Sequence, residues 1–114
     1  MKDCLFCEIV AGKKRADRVH EDDYCMAFRD INPQAPTHIL VIPKVHLTSL
    51  NEISSAPEGL LHHLMRAARE IAGQLNLDQQ GYRIVINTGP YGGQTVYHLH
   101  IHLLGGRPMH WPPG

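Results

Sequence analysis

Tyr97-His98-Leu99-His100-Ile101-His102-Leu103-Leu104-Gly105-Gly106 decides how this chain is read. Three histidines alternate with aliphatic residues, and strict alternation marks a half-buried β-strand. Side chains of a strand point to opposite faces in turn. The three imidazoles therefore share one face, while Leu99, Ile101 and Leu103 share the other and pack into a core. The rise of a strand sets neighbouring histidines roughly 6.6 Å apart and the outer two roughly 13 Å apart. The outer pair cannot close on one small ion, so the row reads as groups with separate jobs. Taken alone, the stretch leaves three readings open: a solvated strand face, a metal site using two of the histidines, or phosphate chemistry with one neutral imidazole as nucleophile.

Outward from this strand, apolar Leu5, Phe6, Ile9 and Val10 predict a short helix ended by Gly12. Val19–Glu21 and Tyr24–Arg29 read as strands separated by Asp22-Asp23. Two prolines and an asparagine make Asp30–Thr37 a loop, and His38–Ile42 is an apolar strand stopped by Pro43. Ser55 and Glu58 have the spacing of a capping box. Leu60, Leu61, Leu64, Ala68, Ile71, Ala72 and Leu75 then recur at helical spacing, which predicts a helix from about Ala56 to about Asn76. His62 and His63 fall on its solvent flank. Tyr82–Thr88 is a further strand, and a Gly-rich loop, Gly89–Gln94, joins it to the histidine strand as a hairpin. The sum is about five strands, one long helix and one or two short ones.

The 114 residues suit one domain with one core. Eleven basic residues balance eleven acidic ones, so no surplus charge supports binding to duplex nucleic acid. No apolar run is long enough to span a membrane, and Met1–Cys4 lacks the apolar run of a signal peptide, which points to the cytoplasm. Three cysteines are a poor disulfide framework. Cys4 and Cys7 form a Cys-x-x-Cys pair that fits metal, redox chemistry or chance, and Cys25 reads as a small core residue.

His98–Leu104 has the form His-φ-His-φ-His-φ-φ, with φ apolar, and resembles the signature of the histidine-triad (HIT) superfamily of nucleotide hydrolases and transferases. Phe28–Lys44, Gly92-Gly93-Gln94 and the terminal Gly105–Gly114 are similar to its Hint branch, so the resemblance runs nearly the length of the chain. It implies a single HIT domain over residues 1–114 with an α+β fold, a five-stranded antiparallel sheet with one long and one or two short helices, and a homodimer whose sheets join and whose long helices meet. The Trp111 tail then reaches the partner's active site. It implies hydrolysis of purine nucleoside phosphoramidates, AMP–amine or AMP–lysine conjugates, to AMP and the amine. His100 would be the nucleophile, His102 and His38 its catalytic neighbours, and Asn87, Gly93 and Thr95 further phosphate contacts. The family usually has serine where Thr95 stands, and the hydroxyl is kept. A backbone carbonyl of the Gly92-Gly93 loop is the expected acceptor that fixes the tautomer of the nucleophile. Asp30 matches the ribose-binding acid, beside its plainer reading as a turn cap. Leu5, Phe6, Ile9, Phe28, Ile31 and Leu40 match the apolar slot around the purine.

Cys4, Cys7, His46 and His98 make a Cys₂His₂ set suited to structural zinc. In related HIT enzymes and in galactose-1-phosphate uridylyltransferases the first triad histidine can complete such a site. The better-known eukaryotic Hint proteins lack the cysteine pair, and this chain departs from them. Two other functions stay open: dinucleoside polyphosphate hydrolysis on the same fold, and a nucleotide- or zinc-binding interaction module without significant turnover.

Overall fold

The computed structural model describes residues 4–114. Eight elements follow in order: α1 (Leu5–Val10), β1 (Arg18–Glu21), β2 (Cys25–Arg29), β3 (Thr37–Pro43), a 3-10 helix (Leu50–Ser55), α2 (Leu60–Gln74), β4 (Tyr82–Val85) and β5 (Ile101–Gly105). The strands form one five-stranded sheet in the order β1-β2-β3-β5-β4, with every neighbouring pair antiparallel. No helix among the described residues is long and apolar enough to cross a membrane.

The sheet is covered on both faces, and the period of two decides which residue goes where. Cys25 and Ala27 of β2 and Ile39 and Val41 of β3 join one core with α2. Met26 and Phe28, with Leu40 and Ile42, face the other way and pack against Phe6 and Ile9 of α1. Burial on both faces explains why β3 reads as a continuous apolar run rather than an alternating one. Leu60, Leu64, Ala67, Ala68, Ile71 and Ala72 supply the buried face of α2. Two residues past its end at Gln74, Asn76 with φ of 61° turns the chain away from the helix. The Leu77 amide then closes back on the Ala72 carbonyl at 2.8 Å.

Three expectations shift. The capping box at Ser55 does not form, because Ser55 closes the 3-10 helix and α2 starts only at Leu60, after Gly59 with φ of 82°. Capping occurs one segment earlier. The Ser49 hydroxyl accepts from the Asn51 amide at 3.1 Å, and Glu52 Oε1 accepts from the Thr48 amide and hydroxyl at 2.6 and 2.7 Å. The strand expected over Tyr82–Thr88 stops at Val85, and the histidine strand narrows to Ile101–Gly105. β4 and β5 still pair, Tyr82 with Gly105 and Val85 with His102, but residues 86–100 between them form a long irregular connection. His98 and His100 lie in it, and only His102 is in the strand.

Candidate active site and metal centre

Alternation survives outside the regular strand. Leu99, Ile101 and Leu103 enter the α2 core, and the histidines take the opposite side. In register, His102 of β5 faces Leu40 of β3, a member of the α1 cluster, so His102 and His38 share the α1 face. The Phe6 ring of α1 stands edge-on to His100, with centroids 5.2 Å apart, and 5.9 Å from His98. The His100 and His102 rings are 4.9 Å apart.

Hydrogen-bond partners assign the tautomers. The Gln34 amide donates to His38 Nδ1 at 3.0 Å, which puts the His38 proton on Nε2. That Nε2–H donates to His102 Nδ1 at 2.9 Å, which puts the His102 proton on its own Nε2. His102 Nε2 is buried and has no partner, so a proton donor is held out of water with nothing to receive it. His100 is set the other way. Its Nδ1 lies 2.7 Å from the His98 carbonyl, to which only an N–H can donate, so its Nε2 carries a free lone pair. The acceptor is thus the backbone two residues upstream and not the Gly92-Gly93 loop. A histidine followed two residues later by another on an extended chain allows that short reach.

Burial keeps these rings neutral. His100 is 5% exposed and His38 also 5%. Burial lowers the pKa of each, against the pull of Asp30. His102 is pushed down to about 4, by burial first and by His100 and His38 after it. Three neutral imidazoles, one with a bare nitrogen and its neighbour with an orphan donor, can attack an electrophile and hold the negative oxygen that develops on it.

Asp30 is the turn cap of its plainer reading, and it also stands beside the triad. Its Oδ1 accepts from the Asn32 amide at 2.8 Å as a turn cap, and its Oδ2 lies 3.5 Å from His38 Nε2. Phe6, Ile9, Phe28 and Leu40 are gathered in the α1 cluster, whereas Leu5 and Ile31 are exposed, Ile31 almost completely. Asn87, Gly93 and Thr95 lie in the connection before His98, and among the described residues none hydrogen-bonds a triad histidine. Gln94 is what organises that connection. Its buried amide accepts from the Gly89 N–H at 2.9 Å and donates to the Thr48 and Val96 carbonyls at 2.6 and 3.1 Å. A side chain at Gly92 would run into the Thr88 backbone. Trp111 is exposed, with the Arg83 guanidinium 5.9 Å from its ring centre.

Cys4, Cys7, His46 and His98 converge, their donor atoms all within 4.8 Å of one another. Leu99 N–H bonds the Leu47 carbonyl at 2.7 Å, which brings the two histidine-bearing segments together. His98 Nε2 donates to the Pro43 carbonyl at 2.9 Å, leaving the Nδ1 lone pair aimed at the cluster. His98 Nδ1 lies 3.3 Å from Cys4 Sγ and 3.2 Å from His46 Nδ1, and Cys7 Sγ lies 3.3 Å from His46 Nδ1. Donors around tetrahedral zinc with ordinary bond lengths stand roughly 3.3–3.8 Å apart. The four residues fit such an ion in donor type and spacing. Redox chemistry fits less well, since burial and the Cys4 thiol push the Cys7 thiol up to about 11, whereas a reactive pair needs a thiolate near neutral pH. His98 and His102 thus belong to different constellations, as the strand spacing requires.

The HIT domain model matches residues 11–109. The 14 kDa zinc-binding protein of Zea mays is 51% identical over 96% of this chain and 87% of its own length. The purine nucleoside phosphoramidase of Escherichia coli is 44% identical over 95% of this chain and 91% of its own. A HIT family hydrolase from Legionella pneumophila superposes with a TM-score of 0.95 at 49% identity, covering 98% of this chain and all of the other.

Proposed function

The chain belongs to the HIT family, and from that premise we propose that it hydrolyses purine nucleoside phosphoramidates through a nucleotidyl-His100 intermediate. The observation that carries this reading is the opposed tautomers of His100 and His102: a bare Nε2 beside a buried N–H donor without a partner. His100 Nε2 attacks the α-phosphorus as the P–N bond to the amine breaks, and the amine leaves with a proton taken from solvent, which the later attack of water returns. The adduct turns the His100 ring cationic, and the His98 carbonyl at 2.7 Å holds its Nδ1–H throughout. Water then attacks the phosphorus, the P–Nε2 bond breaks, and AMP and neutral His100 are restored. His102 Nε2–H gains its missing partner in a non-bridging phosphate oxygen, and His38 holds His102 in the tautomer that donates.

The other roles follow the same reading. Asn87, Gly93 and Thr95 complete the phosphate cradle. Asp30 accepts from the ribose hydroxyls, and Phe6, Ile9, Phe28 and Leu40, with Leu5 and Ile31, border the purine. A homodimer brings the partner's Trp111 tail to the site. Zinc on Cys4, Cys7, His46 and His98 is structural, fixing the N-terminal segment against His98, and the maize relative is a zinc-binding protein. The chemical step does not pass through it.

Incubation with an AMP phosphoramidate and with a diadenosine polyphosphate tests the proposal. Faster turnover of the phosphoramidate is expected. Preference for the polyphosphate would transfer the same machinery to another substrate, and turnover of neither would leave a binding module.

A further inference from the structure

Where the β1–β2 turn meets α2, a second cluster is drawn together around one oxygen. Asp22 Oδ1 accepts the backbone amides of Tyr24 and Cys25 at 2.8 and 2.9 Å, which pins the carboxylate in the turn. Its Oδ2 then receives His20 Nε2 at 2.8 Å and His63 Nε2 at 2.9 Å, ring nitrogens from two different elements. His63 is therefore not the free flank residue its helical position suggests. Beside them opens a cavity of about 150 Å³, lined also by Arg66, Ala67 and Glu70. Arg66 lies 3.8 Å from Glu70, so those two charges offset each other and the Asp22 charge remains.

We propose that His20, Asp22 and His63 form a binding site for a divalent transition-metal ion, separate from the Cys4 cluster, with water filling the remaining positions in the cavity. Two imidazoles and one carboxylate suit zinc, nickel or copper and not magnesium or calcium, which take oxygen ligands. Each histidine binds through its Nε2 lone pair once its proton moves to Nδ1, so a neutral ring keeps its charge. Both rings now point at Asp22 Oδ2, so to surround a tetrahedral ion each must draw back from it by about half an ångström and swing towards the other ring. The side chains are 24% exposed at His20 and 37% at His63, and the cavity leaves them room. Cys25 Sγ lies 3.4 Å from Asp22 Oδ2, and the donor atoms of His20, Asp22 and Cys25 all lie within 4.8 Å of one another, so the thiol can add a further ligand. An ion here fastens the β1–β2 turn to α2.

Equilibrium dialysis of the untagged protein against micromolar zinc, with the bound metal counted by elemental analysis, tests this site. Wild type should hold about one zinc per chain more than His63→Ala or Asp22→Asn. His62→Ala, at an exposed neighbouring position, should keep that ion. A Cys4→Ser, Cys7→Ser variant should lose the other zinc and retain this one, so the two sites fail independently. Added zinc should raise the melting temperature of wild type more than that of His63→Ala. Equal uptake and equal thermal shifts in wild type and His63→Ala would overturn the proposal.

Discussion

Replacing His102 with Gln should flatten the acid side of the stability profile. The His102 ring is neutral in the folded chain, with its pKa pushed from 6.5 down to about 4 by burial and by His100 and His38. In the unfolded chain the imidazole titrates near 6.5. Between these values the unfolded state binds a proton that the folded state refuses. Stability therefore rises with pH through this window and falls as pH drops from about 6.5 to about 4. The two values differ by enough to cost roughly 3 kcal/mol once pH is below both. Partial exposure of the ring trims this to about 2 kcal/mol. Gln does not titrate, so His102→Gln should lose about 2 kcal/mol less than wild type on going from pH 7 to pH 4. Urea unfolding of both proteins at matched concentration, at several pH values in that window, measures the difference. Parallel profiles would refute the assignment of His102 as a neutral ring held by burial.

Cys4→Ser with Cys7→Ser, or treatment with chelator or acid, should remove bound zinc and lower the melting temperature, with a smaller effect on hydrolysis. Elemental analysis beside thermal unfolding checks both parts. Gln94→Ala strips a buried amide from the Gly89, Thr48 and Val96 backbone groups and should cost about 1–3 kcal/mol in denaturant unfolding. Deleting residues 109–114 should alter substrate preference more than folding, read from kcat/KM on two phosphoramidates beside the melting temperature.

Much of this site was legible because its spacing is a property of the chain itself. Alternation placed Leu99, Ile101 and Leu103 in the core even though the strand does not reach Leu99, since an extended segment keeps a period of two without sheet partners. The Cys4, Cys7, His46 and His98 set came from residue type and resemblance together, and its convergence rests on the Leu99–Leu47 backbone bond, which no pattern announces. Backbone partners were the least visible. The carbonyl of His98 and the amide of Gln34 set two tautomers, and neither depends on a side chain. The start of α2 was misplaced because Ser55 and Glu58 match a capping box in type, while Pro57 and the left-handed Gly59 break the chain between the 3-10 helix and α2. Asp22 and His63 lie 41 positions apart, so only the packing of α2 on the sheet brings them together.

The most direct test of the account is to trap the covalent intermediate. Wild type mixed with an AMP phosphoramidate, quenched within the first turnovers and digested under neutral conditions, should yield the peptide bearing His100 with AMP attached, seen by mass spectrometry. His100→Ala should yield no adduct and lose several orders of magnitude in turnover, while still binding AMP. AMP on another residue, or rapid hydrolysis by His100→Ala, would contradict the claim that the bare Nε2 of His100 is the nucleophile.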